Sequence, residues 1–330
     1  MIENGNRRKG GRRVSVILLF IDGVGLGEEA SHNPWYACPT PHMEGILGGS
    51  SLVRRAVGRH SEEAVLLEAD ASLGVEGLPQ SATGQAVIFT GRNAPLAMGK
   101  HQSGLPFRRL RNWVQKDNIY LQFQKRGWQA TFANSYTREY FDLPTTRRGW
   151  ISVSTAAIQS AGKELRMLDD LLAGQAVYHD LTRWSLSRMR PEVKEIPPEE
   201  AADHLLGLTS GHRLVVHEYF LSDWAGHRKN EEWIRWVTHH YDRFLGALVR
   251  NKRKRDVIVL VSDHGNSEDF RIKSHTMNPV PVLVIGKVSP EVVPVNEEER
   301  DLTGIVPLLH RLVEDEEKEF DGKKGEFYDG

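Results

Sequence analysis

The sequence predicts an α/β fold, a sheet flanked by helices, with an α+β unit inserted into it. Three observations carry this. Short apolar, β-branched runs (Val14 to Ile21, Leu214 to Val216 continuing towards Phe220, Asp256 to Val261, and Val280 to Ile285 ending at Gly286) are bounded by turn residues. They are near-continuous rather than alternating, the pattern of parallel strands covered on both faces. Between them lies helical periodicity, as in Glu231 to Val249, where Trp233, Trp236, Val237, His240, Phe244 and Leu248 recur at three- and four-residue spacing. Finally, 330 residues exceed the roughly 250–300 at which a single hydrophobic core stops growing, so an insertion or second domain is expected.

The elements follow in order. Arg7, Arg8, Lys9, Arg12 and Arg13 before the apolar run from Val14 imitate a signal peptide. Asp22 ends that run after eight residues and no small-x-small cleavage site follows, so the run reads as a first buried strand. Gly23, Gly25 and Gly27 come next, but Glu28 follows and the dinucleotide-binding glycine spacing fails. A Gly-bounded turn, Gly77 to Gln85, precedes a helical run from Ala86 to Thr90. The stretch from Pro106 to Gly211 differs in character. It holds basic clusters, a helix opened at Asp117 or Asn118 and stopped at Gly127, a strand-like Gln129 to Tyr136, and a helix from near Glu164 to near Gly174; Pro191, Pro197 and Pro198 lead out of it. The expected organisation is a catalytic domain of residues 1–105 and 212–330 interrupted by a cap of residues 106–211. Apart from a charged tail, Glu314 to Lys324, low-complexity sequence and internal repeats are absent.

Composition narrows the function. Lys plus Arg number 43 against 44 Asp plus Glu, a net charge of −1 that gives no reason to expect a nucleic-acid or membrane partner. One cysteine, Cys38, excludes an internal disulfide and every Cys-rich metal framework, and sets a reducing cytoplasm as the default. No stretch approaches the roughly 20 apolar residues of a membrane span. A monomer is expected.

Chemistry-bearing residues cluster at strand ends. Asp22 closes the first strand, where open α/β sheets bind ligands, although a turn-capping role suits it equally. Asp263 and His264 close the third run ahead of Gly265, and both residue types ligate zinc or manganese. Asp223 and His227 are four apart and so lie on one side of a helical turn. His275 stands in the loop before Val280. Ser81, in the Gly-bounded turn at a helix start, is placed either as an N-cap or as a nucleophile towards an anion. Jointly they supply two ligand sets with one hydroxyl between them, an inventory that fits a two-metal site for in-line displacement at phosphorus.

In that order, Asp22, Pro39-Thr40-Pro41, Gln80-Ser81-Ala82-Thr83-Gly84, Asp223-Trp224-Ala225-Gly226-His227, Asp263-His264-Gly265-Asn266 and His275-Thr276 resemble the alkaline phosphatase superfamily, most closely its cofactor-independent phosphoglycerate mutase and phosphopentomutase branch. The resemblance implies an alkaline-phosphatase-like sheet with an inserted cap. It implies one divalent ion, manganese or zinc, on Asp223, His227 and His275, and a second on Asp22, Asp263, His264 and the Ser81 oxygen. Ser81 would form a phosphoserine, with Thr83 the runner-up nucleophile and Gln80 a phosphate contact. The substrate would be a small phosphomonoester, handled as a phosphomutase or phosphatase. Cap residues Arg108, Arg109, Arg111, Arg138, Arg147 and Arg148 are expected as contacts for its carboxylate or phosphate, or as a solvated basic face. Gln85 departs from the His that the mutases carry. The alternatives are a phosphodiesterase of the same superfamily and a catalytically inactive binding module; a sulfatase would need Cys-x-Pro-x-Arg or its Ser variant, which the Ser81 turn lacks.

Overall fold

A computed structural model describes residues 13–293 and 300–325, with side chains of the last helix described as far as residue 315. The basic cluster from Arg7 to Arg12 lies outside the described residues, as do the side chains of most of the charged tail. Among the described residues no helix is long and apolar enough to cross a membrane.

The strands are β1 (Val16–Ile21), β2 (Gly58–Ser61), β3 (Ala64–Ala69), β4 (Ala130–Phe132), β5 (Leu214–Tyr219), β6 (Val257–Val261) and β7 (Val280–Ile285). They form one sheet in the order β2-β3-β7-β6-β1-β5-β4. The helices that position the site or build the core are α1 (Pro41–Ile46), α2 (Ser81–Thr90), α3 (Arg108–Lys116), α4 (Ile119–Lys125), α5 (Val153–Ser160), α6 (Trp184–Ser187), α7 (Pro198–Gly207), α8 (Leu221–Arg228), α9 (Glu231–Asn251) and α10 (Ile305–Gly325).

Alternate β1 residues serve opposite faces, and all six are buried. Val16, Leu18 and Phe20 pack into a core with Val87 and Phe89 of α2, Leu110 and Val114 of α3, Phe123 of α4, Ala157 of α5 and Leu309 of α10. Ile17, Leu19 and Ile21 pack with Met43 of α1, Leu205 of α7, Ala225 of α8 and Phe244 of α9. Each fully buried large apolar side chain contributes about 1.5–3 kcal/mol, so the two-sided burial accounts for the unbroken apolar run.

Burial does not set strand direction. β4, β5, β1 and β6 run parallel, but β7 is antiparallel to both β6 and β3. The expectation of a parallel sheet therefore holds for three of the four apolar runs and fails for Val280 to Ile285, whose apolar character comes from being covered on both faces. Strands β2 and β3 were not anticipated.

The segment 106–211 contributes to the sheet and to its core. Its strand β4 pairs in parallel with β5 as the edge of the central sheet, and its helices α3, α4 and α5 share the core of β1 and α2. A small cluster of its own, Leu171, Ala176, Tyr178, Leu186 and Val193, lies beyond that core. The physical reason is the apolar face of Leu110, Val114, Ile119, Tyr120 and Phe123, which needs a sheet to cover it.

Candidate metal centre

One edge of the sheet collects the polar ends of several elements. β1 and β6 are parallel neighbours, and each runs out into a carboxylate, Asp22 one residue after β1 and Asp263 two residues after β6. β5 leads through Phe220 into α8, which sets Asp223 and His227 one turn apart. Because β7 is antiparallel, the segment that precedes it reaches this same edge and delivers His275. The start of α2 brings Ser81. The chain after β6 is held in its curl by Ser262, whose Oγ accepts from the Val24 N–H at 2.9 Å and donates to the His264 carbonyl at 3.1 Å. A bridge between Gly265 and Thr276 ties that curl to the His275 segment.

Two glycines permit the close approach. Gly23 has φ +67°, and a Cβ there would stand 2.5 Å from Asp223 Oδ1. A Cβ on Gly84, inside α2, would stand 2.7 Å from the Asp263 carbonyl oxygen. Only a bare backbone fits at either place.

The donor atoms fall into two groups, Asp223 with His227 and His275, and Asp22 with Asp263 and His264, the atoms of each lying within 4.8 Å of one another. The groups adjoin, since the rings of His264 and His275 stack with centroids 3.7 Å apart. Ser81 Oγ lies 2.9 Å from His264 Nε2. All three histidines direct Nδ1 to a main-chain carbonyl: His227 to Lys273 at 3.0 Å, His264 to Gly265 at 3.3 Å and His275 to Pro79 at 2.7 Å. An Nδ1–H committed to a carbonyl leaves the Nε2 lone pair free to ligate.

The arrangement is electron-rich. His227 and His275 present their Nε2 atoms 3.2 Å apart, and the Asp223 carboxylate lies 3.4 Å from the first and 3.9 Å from the second. Asp22 Oδ1 and Asp263 Oδ2 are buried without a hydrogen-bond partner. Burial, with the repulsion of Asp223, holds the Asp22 carboxyl above the usual carboxylate range; burial and Asp22 do the same to Asp263. Burial would push His264 down, but Asp263 and Asp22 carry it up to about 10. Burial likewise acts to raise Asp223, yet His227 and His264 draw it down to about 2. Burial and the neighbouring His264 take His275 down to about 4. Facing lone pairs, orphaned carboxylate oxygens and mutually repelling acids are what bound cations would offset, and a purely nitrogen and oxygen donor set suits zinc or manganese.

Further residues hold the donor side chains. Asn266 Nδ2 donates to Asp223 Oδ1 at 2.6 Å, and Gln85 Nε2 to Asp22 Oδ2 at 3.4 Å. Glu268 accepts from the Gly25 N–H at 2.9 Å, the Asn266 N–H at 2.7 Å and Asn278 Nδ2 at 3.0 Å, and also from the Thr276 hydroxyl. Glu268 thus staples the Gly23–Gly27 loop to the curl after β6. A carboxylate that binds backbone N–H groups has no spacing signature in the sequence, and Gln85 stands out there only as a departure from the mutases' His.

The structure brings Asp22, Asp223, His227, Asp263, His264, His275 and Ser81 together. Ser81 is the first residue of α2, not its N-cap, which is Gln80. Gln80 is half-buried and its side chain makes no cap hydrogen bond. Thr83 is fully buried, its hydroxyl donating to the Gln80 carbonyl and accepting from the Gln102 N–H. The six arginines are dispersed. Arg109 donates to the Ala97 carbonyl at 2.9 Å, Arg111 to the Gly149 carbonyl, and Arg147 pairs with Asp142 at 2.8 Å; Arg108, Arg138 and Arg148 are exposed. Among the described residues no contact links them to the donor groups.

Residues 192–307 match a family model described as the Metalloenzyme superfamily. A 2,3-bisphosphoglycerate-independent phosphoglycerate mutase from Wolinella succinogenes is 29% identical over 38% of this chain and 25% of its own length. A phosphopentomutase from Levilactobacillus brevis is 19% identical over 70% of this chain and 58% of its own. The chain thus spans between a quarter and somewhat over half of these relatives' lengths. Among solved structures, the PH0037 protein from Pyrococcus horikoshii superposes with a TM-score of 0.53 at 14% identity, covering 91% of this chain and 98% of that one. The alkaline phosphatase from the Antarctic bacterium TAB5 superposes at 0.52 and 14% identity, covering 92% and 99%. At such identities the likeness is one of fold.

Proposed function

We propose that the chain is a metalloenzyme of the alkaline phosphatase superfamily and that it transfers the phosphoryl group of a small phosphorylated metabolite through a phosphoserine on Ser81. One observation carries the reading: a hydroxyl at a helix start lies 2.9 Å from His264, at the junction of two adjoining nitrogen and oxygen donor groups. Divalent ions, manganese or zinc, would be held by Asp223, His227 and His275 and by Asp22, Asp263 and His264, where they supply neutralisation of phosphoryl charge and a lowered hydroxyl pKa.

The chain's own residues do the rest. The N-terminus of α2 adds partial positive charge beside Ser81. Ser81 Oγ gives up its proton to solvent and forms the new O–P bond, the bond to the substrate oxygen breaks opposite it, and the departing alkoxide takes a proton from solvent. Return of the phosphoryl group to another hydroxyl of the same molecule makes a mutase; transfer to water makes a phosphatase. Thr83 is the weaker nucleophile because its hydroxyl is buried and already bridges Gln80 and Gln102. A monomeric, cytoplasmic protein fits the reading.

The test is to incubate manganese-loaded protein with sugar phosphates, 2- and 3-phosphoglycerate and a phosphodiester, and to map phosphate on the protein by mass spectrometry. Phosphate on Ser81, lost in Ser81→Ala together with turnover, is expected. Turnover that survives Ser81→Ala, with no phosphate on Ser81 or Thr83, would sink the covalent route.

A further inference from the structure

Four of the chain's eight tryptophans wall a single pocket beside α8. The cavity, about 490 Å³, is lined by Trp184, Trp224, Trp233 and Trp236 with Arg228, Asn230 and Glu232. Trp233 and Trp236 stack 5.0 Å apart and 5° from parallel, Trp184 leans on Trp233 at 5.1 Å, and Trp224 meets Trp233 edge-on at 5.7 Å. The Arg228 guanidinium lies 3.7 Å over Trp224, which is 40% exposed. Its volume falls in the roughly 300–1,000 Å³ range of ligand sites, and apolar faces gathered in a concavity mark such sites. Polar groups complete the lining: the Arg228 guanidinium, the Asn230 amide and the Glu232 carboxylate.

The pocket and the metal centre share helix α8. Trp224 and Arg228 follow Asp223 and His227 by one position each, so one helix carries both pairs on neighbouring faces. Trp224 and His227 are three apart, surface neighbours about 5–6 Å between Cβ atoms, and the His227 side chain is itself 44% exposed. One strip of α8 thus joins ligand and pocket wall.

We infer that this pocket binds the saccharide part of the substrate, a pyranose ring laid on the indole faces with its hydroxyls on Arg228, Asn230 and Glu232. The faces of a pyranose are C–H groups, which suit electron-rich indole faces, and its rim is both donor and acceptor. The lining matches that mixture, with a guanidinium and an amide against one carboxylate. Other chemistries fit less well. A nucleobase finds no slot between Trp233 and Trp236, which already stack on each other. A quaternary ammonium would compete with the Arg228 cation already seated on Trp224. An acyl chain would bury the Arg228 and Glu232 charges without partners. The pocket needs only these residues; that its sugar carries the transferred phosphoryl group rests on the phosphoryl-transfer reading.

The test uses the full chain loaded with manganese, tryptophan fluorescence and calorimetry, and a panel of neutral methyl hexopyranosides, their phosphomonoesters, adenosine and choline. Saturable quenching by at least one neutral hexopyranoside is expected, weakened about tenfold or more in Trp224→Ala and in Glu232→Gln at unchanged melting temperature. Its phosphomonoester should bind at least about tenfold tighter, a gain lost on chelation. Neutral-sugar binding without that gain upholds the pocket and overturns its link to the phosphoryl site. Absence of binding across the hexopyranosides, or Trp224-dependent binding of adenosine or choline in their place, overturns the pocket assignment.

Discussion

Asp263 shows how a single residue sets function against stability. It is fully buried, one of its oxygens lacks a partner, and burial with the nearby Asp22 holds its carboxyl high. A carboxyl whose pKa rises on folding stabilises the fold only below its unfolded value and costs stability as pH climbs through its folded one. At pH 7 the metal-free protein therefore bears that cost. Asp263→Asn should raise the metal-free melting temperature by a few degrees and at the same time shrink the further rise that manganese produces, since only the Asp223, His227 and His275 group stays intact. Calorimetry with and without manganese checks both halves, and a lower metal-free melting temperature would contradict the electrostatic account. Gly84 acts at the same residue from the other side. In Gly84→Ala the new Cβ starts 2.7 Å from the Asp263 carbonyl, an overpacking worth about 1–3 kcal/mol. It should also misplace Asp263, so that metal analysis after dialysis finds fewer bound equivalents than in the wild type.

Strand β5 raises the same question at the scale of an element. Its six residues, Leu214 to Tyr219, are all buried, yet they include His217 and Glu218. Burial takes His217 down to about 3 and pushes Glu218 up to about 7. For His217 the folded value lies below the unfolded one, so its neutral form stabilises above pH 6.5 and that stability is lost as pH falls towards about 3. Between pH 7 and pH 4.5 the loss is on the order of 2–3 kcal/mol. The variant His217→Leu, which cannot charge, should show a smaller fall in melting temperature over that interval; an equal fall would place the acid sensitivity elsewhere. The same two residues explain what was legible in the sequence. β1, β6 and β7 announce themselves as unbroken apolar runs, whereas β5 was readable only as far as Val216 before the polar pair, and β2, Gly58–Ser61, carries no run at all. The donor residues were legible because Asp-x-x-x-His and Asp-His are local patterns at element ends. Glu268, Gln85 and the Trp184–Trp233 contact were not, since each depends on which elements the sheet brings together.

Sheet order governs the whole molecule. The donor groups are drawn from positions between Asp22 and His275 and meet only when β1, β5, β6 and β7 are in register. An unfolded chain holds no such site, so metal binding adds to folding free energy, about 2.7 kcal/mol per site at a hundredfold excess over Kd. The same reasoning decides what the segment 106–211 is for. An independent cap could be cut out and leave a folded, metal-binding sheet domain behind. Here, excision removes β4 from the edge of β5 and strips Leu110, Val114, Phe123, Val153 and Ala157 from one face of the sheet. Replacement of residues 106–211 by a short Gly/Ser linker should therefore abolish cooperative melting and the response to manganese, and expose apolar surface to a hydrophobic dye. A deletion variant that melts in one sharp transition and still gains stability from manganese would show that β5 can serve as an edge strand and that the uncovered face finds other partners. The buried area on that face argues against it, because Leu18, Phe20 and Val216 would then meet water on the side that α3, α4 and α5 now cover.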